Sequence, residues 1–153
     1  MAAYFFDSSA LVKRYARETG TPWMISLFRR AAGHRLYVAR ITGVEVTAAI
    51  TRKARGAHLT THEADRAIAR LRRELGSRLR IVEITPALLN DAMRLAEKYA
   101  LRGYDAVQLA AVLEANNERG RRGLAPLTVI ASDSELLAAA ATEGSETDDP
   151  NNH

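Results

Sequence analysis

Residues 2–13 have the sequence AAYFFDSSALVK. The apolar run at the start of this stretch predicts a short buried strand over residues 2–7, which Asp7 ends. The residues that follow predict a helix over 9–18. A strand that passes directly into a helix is typical of the β-α-β units from which parallel sheets are built.

The same alternation of strands and helices continues along the chain. We predict further strands over residues 35–40, 79–85 and 127–132, and helices over residues 22–32, 42–55, 62–75, 86–100, 103–119 and 134–143. This order favours an α/β fold in three layers, α/β/α, with four parallel strands in the central sheet. In such open sheets, functional sites lie beyond the carboxyl ends of the strands.

The composition is that of one globular domain. The chain has 153 residues, of which 47% are hydrophobic and 26% are charged. It contains no cysteine, which excludes disulfides, thiolate metal sites and cysteine nucleophiles and suits a reducing compartment. No apolar run approaches the ~18 residues that span a bilayer, and we expect a cytoplasmic protein.

The positive charge of the chain is carried almost wholly by arginine. There are 22 basic and 18 acidic residues, and the net charge is +4. Only Lys13, Lys53 and Lys98 are lysines. Because the guanidinium group binds phosphate through two parallel hydrogen bonds, nucleic acid is a leading candidate partner. A cationic surface that only contacts water explains the net charge equally well.

Four acidic residues are predicted to meet at the carboxyl edge of the sheet. Asp7 ends the first strand and Asp133 follows the fourth, while Glu45 and Asp105 lie in the first turns of helices. Carboxylates gathered in a partly buried site repel one another, and a hard divalent cation such as Mg²⁺ or Mn²⁺ removes this conflict. Acids for a metal and arginines for a polyanion together suggest metal-assisted phosphodiester hydrolysis.

Each acid also has a purely structural explanation. Asp7 is a suitable N-cap for the first helix. The pairs Thr42–Glu45 and Ser132–Glu135 both have the spacing of a capping box, in which the two side chains bond to the helix start. The two remaining acids are ordinary residues of a first helical turn.

Four segments, in this order, resemble the motifs of the PIN-domain ribonucleases. They are FFDSSALVK (5–13), TGVEV (42–46), YDAVQLA (104–110) and VIASDSELLAAA (129–140). The resemblance extends from about residue 4 to residue 150, and without an appended domain the chain is most similar to the VapC-type toxins of toxin–antitoxin pairs. It implies a Mg²⁺- or Mn²⁺-dependent endoribonuclease that cuts single-stranded or looped RNA, is blocked by an antitoxin and forms a homodimer.

The resemblance also implies roles for individual residues. Asp7 and Asp105 would bind the metal directly, while Glu45 and Asp133 would bind it directly or through water, or would position the nucleophilic water. Hydroxyl groups near the metal would come from Ser9 and Ser132, although Ser132 is equally suited to cap a helix. Two arginines are close enough in sequence to these motifs to contact RNA phosphates, with a solvated cation as the alternative: Arg40 and Arg102.

The end of the chain departs from the family pattern. The family usually closes with a short apolar strand after the last helix, but residues 144–150 have the sequence GSETDDP and contain no apolar run. The sequence therefore leaves open whether a fifth strand completes the sheet or is vestigial or absent. The domain is predicted to cover residues 1–147, and residues 148–153 are expected to fray.

Three other functions were weighed. A phosphotransfer receiver needs a lysine late in the chain, but the last one is Lys98, well before the fourth strand. An aspartyl-phosphate phosphatase needs a second aspartate two residues after the first, where this chain has Ser9. A catalytically silent PIN-like module that binds RNA or a partner is the remaining alternative, and the intact set of four acids disfavours it.

Overall fold

A computed structural model describes all 153 residues of the chain. Its five strands are β1 (Ala3–Phe6), β2 (Arg35–Ala39), β3 (Leu79–Val82), β4 (Thr128–Ile130) and β5 (Glu146–Asp148). Its seven α-helices are α1 (Ser8–Tyr15), α2 (Thr21–Leu27), α3 (Thr42–Arg55), α4 (Thr61–Ser77), α5 (Pro86–Tyr99), α6 (Gly103–Arg121) and α7 (Ser134–Thr142). Two short 3-10 helices are formed by Arg30–Ala32 and Pro150–Asn152.

The five strands form one parallel sheet in the order β3-β2-β1-β4-β5. In the centre, Phe5 of β1 pairs with Tyr37 of β2 on one side and with Val129 of β4 on the other. The chain proceeds outward from β1 in one direction and later returns to lie on its other side. The carboxyl ends of β1 and β4 therefore form the point where strand order reverses, which is where sites lie in sheets of this kind.

Two hydrophobic cores lie on opposite faces of the sheet, because neighbouring residues of a strand point to opposite sides. Phe5 packs with residues of α5, α6 and α7, whereas Phe6 packs with residues of α1, α2, α3 and α4. Both rings are fully buried. The predicted three-layer α/β/α arrangement is confirmed.

The sheet has a fifth strand, although residues 144–150 contain no apolar run. Strand β5 pairs in parallel with β4 through Thr128 and Glu146, and the amide of Ala131 donates to the carbonyl of Asp148 at 3.2 Å. An edge strand is held by main-chain hydrogen bonds on one side only, so polar side chains are tolerated there. The chain thus forms the fifth strand that the sequence left open, as a three-residue strand at the edge of the sheet.

The last residues follow a defined path, which differs from the frayed tail predicted for residues 148–153. Pro150 is buried, and the ring of His153 stacks on Trp23 of α2 with the centroids 3.9 Å apart. Gly20 makes room for this contact, since a Cβ at that position would lie 2.2 Å from the carbonyl oxygen of Pro150. None of the helices is both long and apolar enough to cross a membrane.

Candidate active site

Asp7 occupies the carboxyl end of the central strand. Its amide donates to the carbonyl of Ile130 at 3.1 Å, which extends the pairing of β1 with β4. Its carboxylate caps α1 by accepting from the amide of Ala10 at 3.1 Å, and it also accepts from the Ser9 hydroxyl at 2.7 and 2.9 Å. The predicted capping role is thus real, but the carboxylate that performs it is only 3% exposed.

The pKa of Asp7 is raised to about 7. Burial is the main cause, because it removes the charged carboxylate from water. The hydrogen bonds from Ser9 and Ala10 oppose the rise, and the negative charge of Asp105 adds to it. An ordinary capping aspartate would be fully ionised at neutral pH, whereas Asp7 titrates there and would be held in its charged form by a nearby cation.

Glu45 does not form the predicted capping box with Thr42. Helix α3 has Ile41 at its N-cap position and no side-chain cap. Instead, the Glu45 Oε1 atom accepts from Nε2 of Gln108 at 2.8 Å, and this same nitrogen donates to the Thr42 hydroxyl at 2.9 Å. Burial raises the pKa of Glu45, the bond from Gln108 lowers it, and the charge of Asp105 raises it again.

Asp105 lies in the first turn of α6, and none of the hydrogen bonds in the structure involves its carboxylate. Its pKa is raised by burial and by the charge of Asp133, against the lowering effect of Arg102. The charge of Asp105 in turn raises the pKa of both Asp7 and Glu45. Asp105 therefore links the four predicted acids, which we call the acidic cluster: its charge affects Asp7 and Glu45, and the charge of Asp133 affects Asp105.

The segment after β4 brings the last acid to the cluster. Asp133 itself caps α7, accepting from the amides of Glu135 at 2.9 Å and Leu136 at 3.1 Å. The suggestion that Ser132 is the cap, in a box with Glu135, was therefore wrong. The Ser132 amide instead donates to the Ser9 hydroxyl at 2.9 Å, while its own hydroxyl is buried without a partner.

A groove of about 430 Å³ runs beside the cluster between α1 and α3. We name it the acid groove, and the lining side chains used below are Ser8, Ser9, Val12, Glu45, Arg52 and Tyr104. Arg52 and Tyr104 were not among the residues predicted for the site. Arg52 follows Glu45 by seven residues, which is two helical turns. This spacing places Arg52 and Glu45 on the same face of α3 and could have indicated that Arg52 lies near the site.

The chain matches the family model described as PIN domain over residues 4–142. It belongs to the PIN domain family. Among curated proteins it is similar to the ribonucleases VapC45 and VapC49 of two Mycobacterium tuberculosis strains. Each is 35% identical over 113 residues, which cover 74% of this chain and 76% of the relative.

Solved structures share the fold. PAE2754 from Pyrobaculum aerophilum superposes with a TM-score of 0.65 at 24% identity, covering 95% of this chain and 89% of that one. VapBC2 from Rickettsia felis, solved with a fragment of promoter DNA, gives a TM-score of 0.62 at 12% identity, with 96% and 98% covered. PIN-domain ribonucleases of the VapC type depend in general on divalent metal ions.

The donor atoms of this PIN domain suit a hard divalent ion. The four acids supply carboxylate oxygens, and two buried polar atoms beside them, Ser132 Oγ and Gln108 Oε1, have no hydrogen-bond partner. No three His, Asp or Glu side chains are positioned to bind one ion directly. Mg²⁺ keeps several water ligands, so the cluster fits a hydrated ion with fewer than three direct protein ligands.

The two arginines predicted to contact RNA have different surroundings in the PIN domain. Arg102 is exposed at the N-cap position of α6, and its charge lowers the pKa of Asp105. Arg40 is also exposed, but it forms an ion pair with Glu83, with Arg40 Nε 3.0 Å from Oε2. Arg102 is therefore next to the acidic cluster, while Arg40 is engaged by an acid outside it.

Proposed function

We propose that this protein is a divalent-metal-dependent endoribonuclease and the toxin of a toxin–antitoxin pair. One observation carries this proposal: the buried carboxylate of Asp7 lies where strand order reverses, and the charge of Asp105 contributes to raising its pKa. The membership of the PIN domain family and the 35% identity to two ribonucleases named VapC support it.

We infer that Asp7 and Asp105 hold Mg²⁺ or Mn²⁺, with Glu45 and Asp133 as ligands or as groups that orient water. When bound, such an ion supplies a polarised water and stabilises charge on the phosphate. Ser9 fixes the orientation of the Asp7 carboxylate by bonding to both of its oxygens. Arg102 adds positive charge beside the acids and would attract the phosphate of the RNA.

An antitoxin protein is the second partner that we propose. The structural neighbours include a toxin-antitoxin complex from Klebsiella pneumoniae, at a TM-score of 0.57 and 19% identity, and the VapBC2 complex. The acid groove offers an antitoxin the Glu45 carboxylate, whose pKa is raised by burial, and a basic side chain placed there would neutralise it. A toxin that cleaves cellular RNA acts in the cytoplasm, and we propose this location.

We also propose that the chain forms a homodimer. An apolar groove of about 750 Å³ lies between α5 and α6. Three of its side chains are unusually exposed for their size: Leu89 at 43%, Met93 at 64% and Tyr104 at 62%. Exposed apolar side chains gathered in one patch mark interaction surfaces more often than single ones do.

The test of the nuclease is cleavage of RNA by the purified protein with Mg²⁺ or Mn²⁺. We expect Asp7→Asn and Asp105→Asn each to lower the rate by about 100-fold or more while preserving the circular dichroism spectrum, because even outer-shell partners of metals contribute about 10–100-fold. Asp91→Asn is the matched control, since Asp91 is an exposed acid of α5 that pairs with Arg94.

Undiminished cleavage by both variants would refute the nuclease proposal. RNA binding that is equally tight with and without divalent ions, and no cleavage under any of them, would favour the silent binding module. The silent binding module is the second candidate function because no three acidic or histidine side chains are positioned to bind one metal ion.

A further inference from the structure

A second groove, rich in arginine, lies between α1, α2 and α4. Two adjoining hollows of about 380 and 510 Å³ share Tyr15, Arg17 and Arg70 and form a continuous depression, which we name the arginine groove. Five exposed arginines line it: Arg17, Arg29, Arg66, Arg70 and Arg73. These arginines come from separate segments of the chain and not from one basic run. The fold therefore brings their charges together.

None of these five arginines forms a salt bridge. The one acid among the lining residues is Glu63, and its carboxylate is engaged in the capping box of α4 with Thr60. Like charges at this density repel one another, and the fold gains no ion pairs in return. A structural role therefore does not account for the cluster, whereas a polyanion seated in the groove would.

The floor of the groove also lacks a hydrogen-bond partner. Tyr15 lines both hollows, and its hydroxyl is buried without a partner. The Nε atom of the neighbouring Arg14 is also buried without a hydrogen-bond partner. The same guanidinium forms a salt bridge with Glu74, in which the nitrogen and the carboxylate oxygen are 3.1 Å apart. Buried polar atoms are usually bonded, so the polar groups beneath the groove are incompletely satisfied in the free protein.

Helix α1 connects the arginine groove to the acid groove. Ser8 and Val12 line the acid groove, and Tyr15 lines the arginine groove. Their spacing of four and three residues places all three on one stripe of the helix. At a rise of about 1.5 Å per residue, the stripe is only about 10 Å long. Arg52 of α3 adds a further cation along the acid groove.

We propose that the arginine groove binds the phosphate backbone of the RNA strand on one side of the bond that is cut. This inference rests on the proposed ribonuclease function. Tyr15 in the arginine groove lies about 10 Å along α1 from Ser8 in the acid groove, and the five arginines that line the arginine groove have no acidic partner. Guanidinium groups bind phosphate through paired hydrogen bonds, independent of base sequence. An acidic segment of a protein is the competing occupant.

The experiment compares Arg70→Gln with Arg72→Gln, which remove the same charge from the same helix. Arg72 is exposed but does not line the groove. Binding of a 20-nucleotide single-stranded RNA is measured in EDTA over a range of salt concentrations. We expect Arg70→Gln to weaken binding several-fold and to reduce the salt slope, while Arg72→Gln leaves both nearly unchanged.

The triple variant Arg66→Gln, Arg70→Gln, Arg73→Gln gives the larger effect. At about 0.7 released counterions per phosphate of a single strand, loss of three contacts lowers the slope of log K against log salt by about 2. We expect affinity for the 20-mer to fall by about tenfold or more, and affinity for a tetranucleotide, which fills only the acid groove, to change less than twofold.

Equal salt slopes for the parent and the triple variant would overturn the proposal. So would unchanged RNA binding together with lost binding of a polyglutamate peptide, which would assign the groove to an acidic protein segment. Cleavage by the parent with Mn²⁺ is scored separately. If the parent fails to cleave RNA while the slopes differ as expected, the nuclease proposal fails and the backbone site stands.

Discussion

At the scale of single residues, Asp7 has two roles that make opposite demands. As the cap of α1 it accepts hydrogen bonds, which favour its charged form. As a buried group with a pKa of about 7 it is destabilised by that same charge. Its folded-state pKa lies above the ordinary value of 3.8, so the native protein binds a proton that the unfolded chain has lost between these pH values.

The metal-free protein is therefore predicted to lose stability as pH rises from about 4 to about 7. Asp7→Asn keeps a capping oxygen but cannot ionise, so we expect its melting temperature to exceed that of the parent at pH 8 and to approach it at pH 4. Thermal unfolding in EDTA at both values measures this, with Asp91→Asn as the control. A variant less stable than the parent at pH 8 would contradict the raised pKa.

Gln108 supports the second acid. It is 1% exposed, and its side-chain nitrogen joins Glu45 of α3 to α6. Because this bond lowers the pKa of Glu45, we predict that Gln108→Met raises that pKa and moves the acidic limb of the pH–rate profile for RNA cleavage to higher pH. Thr42→Val, which removes the other bond of Gln108, should leave the limb in place. A uniform loss of rate at every pH would indicate a purely structural role.

The positions of the four acids in the fold were predictable because each of them follows a strand or lies in the first turn of a helix, which the sequence pattern indicates. The role of Gln108 was not predictable, because it depends on a hydrogen bond to Glu45, which is 63 positions away in the sequence. The capping boxes at Thr42 and Ser132 were predicted wrongly for a related reason. Local spacing makes such a box possible, but Gln108 engages Glu45 and Asp133 caps α7, so the tertiary contacts decide.

At the scale of elements, periodicity predicted the first four strands and the helices on both faces. A capping box of Thr60 and Glu63 marks the start of α4. The region predicted as one helix over residues 22–32 instead ends at Leu27 and continues as a 3-10 helix. The edge strand β5 could not be decided from the sequence because its pairing depends on main-chain hydrogen bonds. The groups that form these bonds are the same in almost every sequence.

The docking of the last 3-10 helix on α2 depends on Gly20, whose φ is +88°. We predict that Gly20→Ala destabilises the protein by more than the ~1–2 kcal/mol cost of a left-handed alanine, because its Cβ would also collide with the carbonyl of Pro150. Removing residues 150–153 relieves the collision. In the truncated chain, Gly20→Ala should therefore lower the free energy of unfolding only by the cost of the left-handed backbone conformation.

Urea unfolding followed by circular dichroism gives the four free energies of this double-mutant cycle. Gly123→Ala is the control, because Gly123 has a φ of +67° but no atom within 4 Å of the added Cβ. An equal cost of Gly20→Ala in the full and truncated chains would show that the tail does not pack against Gly20.

At the scale of the whole molecule, the apolar groove between α5 and α6 is predicted to join two copies. We expect Met93→Lys to convert a dimer to a monomer in light scattering at micromolar concentration, because it places a charge among apolar side chains. Leu124→Lys is the control, since Leu124 is equally apolar, 43% exposed and does not line the groove. A parent that is already monomeric at high concentration would refute the dimer.

Trp23 is the only tryptophan of the chain, and the imidazole of His153 lies flat against it. The light that this one indole emits therefore depends on whether the final residues are seated. The intrinsic fluorescence of Trp23 thus reports whether the last residues are docked, without any label. An affinity tag added after His153 would change the surroundings of Trp23 and so change this fluorescence.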